Sequence, residues 1–336
     1  MTVVVTGASG HVGANLVRAL LDRGRPVRTL VHTNRQALAG LNVEIAEGDI
    51  HNPESLHKAF DGAEVVYHLV ATISLLMDSC PLLERVNVIG TRNVVEACLR
   101  SGVRRLVHFS SIHALRQEPL ETAVDESRPL VDSPRCPPYD RSKAAGEIEV
   151  RRGMERGLDA VIISPTAIIG PHDYRPSHFG RILLDLACGQ LPGLVDGGFD
   201  WVDARDIASG AIRAEEIAPT GAKYLLSGHW VSLCDLAEMV AAITGTAAPR
   251  FVCPIWLARA GAPIVTAFNR LAGKRPLYTS MAIKTLCGNR SISHDRATRE
   301  LGYEPRPLQE TLTDTLEWFA ATGKLDRPLK LEARPQ

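Results

Sequence analysis

The stretch Val3-Val4-Val5-Thr6-Gly7-Ala8-Ser9-Gly10-His11-Val12-Gly13, at the start of the chain, decides how the fold is read. Three consecutive β-branched residues predict a short strand buried on both faces, as in a parallel sheet. Gly7 to Gly13 predicts a tight turn. From Val12 to Arg23 the spacing is helical, with Val12, Leu16, Ala19 and Leu20 on one face and Gly24 as the stop. A strand passing through glycines into a helix brings backbone N–H groups and a helix N-terminus together, an arrangement suited to a pyrophosphate. No Gly-Lys-Ser/Thr follows, which excludes a P-loop. A tight turn with no ligand is the alternative, and the strand–turn–helix setting argues against it.

Working outward, the same alternation continues. Strands are predicted at Val27 to Val31, Val43 to Ala46, Val65 to Val70, Arg105 to Ser110 and Ala160 to Ile163. Between them the spacing predicts helices over Glu54 to Phe60, Val86 to Ser101 and Tyr139 to Glu155. This rhythm implies a parallel sheet covered on both faces. After about residue 170 the rhythm loosens. Pro and Gly become frequent, a helix is expected near Asp206 to Glu216, and a strand at Lys223 to Leu226. The second half reads as a smaller lobe fed by several crossings, with no internal repeat and no low-complexity tract.

Composition bounds the function. The 336 residues include 38 Lys+Arg and 38 Asp+Glu, so no global basic field draws the chain to nucleic acid or to a membrane. No run of about 20 apolar residues is free of charge, so no integral membrane segment is expected; the nearest candidate, Phe251 to Leu271, is broken by Pro254, Arg259, Pro263 and Asn269. The start carries no secretory signal pattern. Cys80, Cys98, Cys136, Cys188, Cys234, Cys253 and Cys287 are scattered and form no CxxC, which reads as reduced thiols in a cytoplasmic protein. The histidines show no ligand spacing, so no metal is expected. The implied partner is a small-molecule substrate, with a homodimer as the one macromolecular assembly left open.

A second constellation is Ser111 with Tyr139-Asp140-Arg141-Ser142-Lys143. Tyr139 and Lys143, four apart, share one helix face. An ammonium beside a phenol favours phenolate, so Lys143 is expected to lower the Tyr139 pKa from its ordinary value of about 10. The tyrosine then becomes a usable acid/base. Ser111 ends a strand, the edge where α/β sheets bind ligands. YxxxK alone is common by chance; its order after the glycine turn and a strand-end serine gives it weight.

The chain resembles the extended branch of the short-chain dehydrogenase/reductase superfamily, within the NAD-dependent epimerase/dehydratase family. It is most similar to the group of dihydroflavonol reductases, 3β-hydroxysteroid dehydrogenases and the bacterial proteins named hopanoid-associated sugar epimerases. The likeness is carried by Gly48-Asp49-Ile50, Tyr67-His68-Leu69-Val70-Ala71, Val86 to Thr91, Phe109-Ser110-Ser111, Tyr139 to Lys143, Pro165 to Pro171, Trp201 to Ala208 and Arg299 to Pro305. It implies an α/β fold: a Rossmann-type doubly wound parallel sheet at 1–170 and a smaller C-terminal α/β substrate lobe at 171–330, with some segments returning to the first domain. Ser111, Tyr139 and Lys143 would be catalytic. Gly7, Ser9, Gly10, His11, Val12 and Gly13 would form the cofactor turn, and Asp49 and Ile50 would hold the adenine. Leu69, Val70 and Ala71 would pass along the ribose and diphosphate. Lys143 would bind the nicotinamide ribose, and Pro165, Thr166 and Ile168 would lie beside the nicotinamide. Asn87 would begin a supporting helix, and Asp206 would be structural.

Departures from the family pattern sharpen the expectations. His11 stands in the glycine turn where an aromatic or aliphatic residue is usual, His32 where many relatives carry arginine, and Val70 for a usual alanine. The second strand ends Leu30-Val31-His32-Thr33-Asn34-Arg35 without a carboxylate, and Arg35, or less favourably Arg28, would meet a 2′-phosphate. NADP(H) is therefore expected over NAD(H). The asparagine usual in sugar epimerases near Ser164 to Ala167 is absent, and Ile112-His113 replaces the acidic pair of sugar dehydratases. The expected activity is hydride transfer to or from a carbonyl or secondary alcohol of a mainly apolar molecule. A nucleotide-sugar epimerase is the alternative within enzymes, and a non-catalytic dinucleotide sensor the alternative outside them. Substrate walls are expected from Thr72 to Cys80, His113 to Pro138, His172 to Leu194 and Phe251 to Cys287, or those residues form only the lobe's own core. His113 faces the substrate or is a loop contact, and Arg175 and Arg181 beside His178 bind an anion or are solvated; the sequence leaves both pairs open.

Overall fold

Val3, Val4 and Val5 are all fully buried. Successive strand residues point to opposite faces, so this burial requires cover on both sides of the sheet. The computed structural model describes residues 2–74, 81–262 and 280–330 and shows that cover. Strands β1 (Thr2–Thr6), β2 (Val27–Val31), β3 (Glu44–Glu47), β4 (Ala63–His68), β5 (Arg105–Phe109), β6 (Ala160–Pro165) and β10 (Lys223–Leu226) make one sheet in the order β10-β6-β5-β4-β1-β2-β3. Every pairing is parallel, and Val3 lies beside both Val27 and Val65.

The two faces have separate cores. Val3, Val5, Val65, Tyr67, Val107 and Val161 pack with helices α1 (His11–Asp22) and α7 (Ala204–Ile217). Val4, Val66, Leu106 and Ile162 pack under α2 (Pro53–Phe60), α4 (Thr91–Arg100) and α5 (Pro138–Glu155). Local chemistry sets the helix ends. Asn52 accepts hydrogen bonds from the amides of Glu54 and Ser55 ahead of Pro53, and Gly24 follows α1 at φ 69°.

One predicted helix differs. The spacing from Val86 to Ser101 predicts continuous α-helix, whereas a short turn α3 (Pro81–Leu83) leads into a π-helical stretch at Glu84–Gly90, and α-helix resumes at Thr91. An extra residue per turn rotates the faces that follow. Two glycines lie at the packed surfaces here: a β-carbon on Gly90 would overlap the Ile50 side chain, and one on Gly146 of α5 would overlap the Asn87 carbonyl oxygen.

The second lobe has its own sheet, β11 (His229–Ser232), β9 (Gly198–Asp203) and β7 (Ala167–Ile169), and a ribbon of β8 (Leu194–Val195) with β12 (Val252–Cys253). Its core joins Leu183, Trp201, Leu236, Val240, Leu312 and Phe319 from α6 (His178–Ala187), β9, α8 (Leu233–Thr244) and the helix Leu308–Ala321. The chain leaves this lobe through α7 and adds β10 to the edge of the main sheet.

Gly146 gives a direct test of the α5–π contact. Gly146→Ala is expected to destabilise the protein by about 1–3 kcal/mol through overpacking against main chain that has nowhere to go. A lowered urea midpoint with an unchanged slope would record it; an unchanged midpoint would show that the contact yields.

Candidate active site

The ends of β1, β2 and β4 open onto a cleft of about 490 Å³ lined by Gly7, Ser9, Gly10, His32, Asp49, Ile50 and Val70 among others. The turn beside it is built on close approach. Gly7 holds φ at 75°, and a β-carbon there would come within 2.9 Å of the Val70 nitrogen. A β-carbon on Gly13 would overlap the Gly7 carbonyl oxygen. No side chain caps α1 at Gly10. Its first-turn amides are therefore available to an anion, as a dinucleotide pyrophosphate requires.

The expected cofactor residues separate into two groups. Those named above line the cleft, together with Thr33, Asn34, Gly48, His51, Thr72, Leu82, Arg85 and Val86, which sequence reasoning did not select. Thr33, Asn34, Gly48, His51 and Thr72 lie next to selected residues near strand ends, where adjacency was the one signal available, whereas Leu82, Arg85 and Val86 come from α3 and the π-helical stretch. His11, Val12, Gly13, Arg35, Leu69, Ala71, Lys143, Pro165, Thr166 and Ile168 are outside the lining. Arg35 pairs with Glu47 on the surface. Arg28 is held by Glu44 and by the carbonyls of Ala59 and Asp61. His32 stands 3.7 Å from Asp49. The Ser9 hydroxyl donates to the Asn34 carbonyl, and Thr166 donates to Asp200 at 2.6 Å. His11 Nε2 lies 3.0 and 3.1 Å from the carbonyls of Gly170 and Pro171, so that nitrogen carries the proton. Asn15 donates to Pro171 as well, at 2.9 Å.

Ser111, Tyr139 and Lys143 come together at the end of β5, all three buried. Ser111 lies near enough to the Tyr139 phenol to act against the rise in its pKa, and Lys143 Nζ donates to the Phe109 carbonyl at 2.8 Å. Asn87 braces the set: its amide donates to Ser142 Oγ and to the Thr72 carbonyl, both at 2.9 Å, and its oxygen accepts from the Thr72 amide. Ser142 in turn donates to the Tyr139 carbonyl. The expected acidification of the phenol by Lys143 is corrected here. Burial pushes Tyr139 up to about 12, with Ser111 opposing it. Burial also lowers Lys143 to about 8, opposed by Glu147. Desolvation outweighs the neighbouring charge for both groups.

Beneath this set lies a network that the sequence reading missed. Glu147, one turn beyond Lys143, accepts from Ser110 at 3.0 Å, from Lys223 at 2.9 and 3.0 Å, and from Arg151 at 2.8 Å. Its i+4 spacing was visible, but its partner on β10 is 76 residues away. Asp206 takes up Arg306 through the backbone amide and the guanidinium, which fits its structural assignment. His113 sits edge-on to Tyr139 with ring centroids 5.7 Å apart, and 3.3 Å from Asp140. Arg181 donates to the Pro176 carbonyl. Of the expected substrate walls, Leu75, Leu76, Met77, Ile264, Val265 and Phe268 lie outside the described residues. Ile73, Phe251, Trp256 and Leu257 are exposed, and Ile255 packs on the second-lobe core.

The doubly wound sheet and its glycine-built cleft define a dinucleotide-binding α/β protein. The chain belongs to the NAD dependent epimerase/dehydratase family, whose model matches residues 3–225. It is an NAD(P)-dependent enzyme, an oxidoreductase of a family that acts on small molecules. It is 36% identical to the sterol demethylase protein B of Methylococcus capsulatus over 97% of this chain and 100% of that protein. It is 27% identical to a 3 beta-hydroxysteroid dehydrogenase/Delta 5-->4-isomerase of Mycobacterium tuberculosis, over 99% of this chain and 94% of that one. The crystal structure of gox2253 superposes with a TM-score of 0.85 at 34% identity, covering 97% of this chain and 99% of that one. Among the described residues no helix is long and apolar enough to cross a membrane.

His68, the last residue of β4, offers a pH test of the site's foundation. It bridges Thr6 at 2.8 Å and Thr91 at 3.2 Å, fully buried, and burial with the nearby Lys143 lowers it to about 3. An unfolded histidine takes a proton near pH 6.5, so the unfolded state binds more protons below that value, and stability is lost as pH falls from about 6.5 toward 3. From about pH 7 to about pH 5 this one group is expected to remove about 2 kcal/mol. His68→Gln should flatten that part of the stability–pH curve in urea titrations, and an unchanged slope would remove His68 as its source.

Proposed function

We propose that the enzyme transfers hydride between NADP(H) and a carbonyl or secondary alcohol of a mainly apolar small molecule, with Tyr139 as acid/base. The observation that carries the proposal is the buried meeting of Ser111, Tyr139 and Lys143 at the end of β5. When bound, the dinucleotide supplies or takes up the hydride. The Tyr139 phenol, kept neutral by burial, donates its proton to the substrate oxygen, and the Ser111 hydroxyl holds that oxygen. Lys143, fixed by the Phe109 carbonyl, keeps most of its charge near neutral pH and favours the phenolate left behind.

On this reading residues 1–170 form the dinucleotide domain and 171–330 mainly the substrate lobe. Asp49 and Ile50 hold adenine, Leu69 to Ala71 follow the ribose and diphosphate, and Pro165, Thr166 and Ile168 flank the nicotinamide. An apolar substrate is supported by the sterol and hydroxysteroid names of the relatives and by the missing epimerase asparagine.

With NADPH present, apolar ketones or alcohols are expected to raise the melting temperature and to be turned over, and Tyr139→Phe to cut turnover by about 10²–10⁴-fold with cofactor affinity retained. Wild-type rates in that variant would end the Tyr139 assignment. Strong stabilisation by UDP-sugars alone would put the epimerase in its place.

NADPH is expected to bind more tightly than NADH, because the end of β2 offers no carboxylate and Arg35 adjoins the cleft-lining Asn34. Arg35→Ala should weaken NADPH about tenfold and leave NADH unchanged, since a lost charge-assisted hydrogen bond has roughly that effect. Fluorescence titration with both dinucleotides measures it, and tighter NADH binding in the parent protein reverses the preference.

A further inference from the structure

From Met239 to His294 the sequence contains no aspartate or glutamate and seven cations, Arg250, Arg259, Arg270, Lys274, Arg275, Lys284 and Arg290. The chain as a whole is neutral, so this window holds an excess that the remainder balances with carboxylates. Within its described part, exposed apolar side chains gather where the ribbon strand β12 turns at Pro254. Phe251 is 60% exposed, Val252 40%, Trp256 71% and Leu257 43%. Arg250 and Arg259, both exposed, bracket them.

The outward setting of these residues is fixed by their neighbours. Cys253, Ile255 and Ala258 pack on the second-lobe core. β12 pairs with β8, and the Asp196 amide donates to the Cys253 carbonyl at 3.2 Å. A turn anchored by its inward residues cannot bury the opposite set as well. The exposed Asp196 is the neighbouring carboxylate at this ribbon.

We propose that Phe251, Val252, Trp256 and Leu257, flanked by Arg250 and Arg259, dock the enzyme reversibly on an anionic lipid surface. Tryptophan and phenylalanine partition into the headgroup region, and arginine at its level is attracted to anionic headgroups. Charge complementarity selects this occupant: a stretch with two exposed arginines, exposed apolar side chains and no carboxylate of its own, on a chain whose acids lie elsewhere, meets a surface that is negative outside and apolar just beneath. Docking is read without turnover, so it stands apart from the substrate assignment.

The test is flotation of the full chain with vesicles of phosphatidylcholine alone or mixed equally with phosphatidylglycerol. The parent protein is expected to float with the mixed vesicles, weakly with the neutral ones, and less as salt rises. Phe251→Ser with Trp256→Ser should reduce flotation on mixed vesicles about tenfold, from the apolar area withdrawn. Arg250→Gln and Arg259→Gln should each reduce it about fivefold there and leave neutral vesicles unaffected. Unchanged melting temperatures verify that these surface variants fold. Absence of flotation by the parent, or equal flotation by the variants, overturns the proposal. So does a dimer that the same substitutions dissolve in the absence of lipid, which would make a second copy the occupant.

Discussion

A parallel strand buried on both faces has no side chain free for chemistry along its length, so what the sheet can do is concentrated at its ends. In this chain that constraint governs both halves of the site. β1 and β4 end at Gly7 and beside Val70, where absent side chains let two backbones meet and leave the start of α1 uncapped. β5 ends at the Phe109 carbonyl and Ser111, where α5 delivers Tyr139 and Lys143 from one face. Gly146 brings α5 close enough to the π-helical stretch for Asn87 to brace Ser142.

Burial shapes the chemistry as strongly as proximity does. Tyr139, Lys143, His68 and His108 all lie beneath or within the site, and desolvation moves each of them toward its neutral form. The network around Glu147 opposes this locally. Five hydrogen bonds from Lys223, Ser110 and Arg151 hold a fully buried carboxylate charged, with its pKa below the ordinary value. That charge is one turn from Lys143 and raises its pKa against the desolvation. Behind the buried Tyr139 and Lys143 there is thus one compensated anion.

The sheet and the meeting of Ser111, Tyr139 and Lys143 were legible because both are written locally. Val3 to Val5, the glycine turn, and the four-residue spacing of Tyr139 and Lys143 each follow from a period or a turn rule applied to adjacent residues. The missed features depend on pairs far apart in the chain. Lys223 meets Glu147 across 76 residues, and His11 meets Gly170 across 159. The pKa of Tyr139 was misjudged for a related reason. A spacing reveals the neighbouring charge but not how much water remains around both groups, and here desolvation is the larger effect. The π-helical stretch left no signal because its 84–90 sequence is as compatible with α-helix.

The last strand of the main sheet arrives late, and that has consequences for how the protein is made. β10 lies at Lys223–Leu226, beyond β7, α6, β8, β9 and α7, and until it docks, β6 is an open edge and Glu147 lacks its ammonium partner. Arg151 and Ser110 already hold Glu147 by then, but an open apolar edge invites pairing with other chains. A nascent polypeptide emerging from the ribosome has assembled six of the seven strands by residue 165, yet it has to wait roughly sixty more residues before the sheet is sealed. The main sheet is therefore completed by a strand that is made after the first elements of the second lobe, and a fragment ending at β6 would keep that edge open.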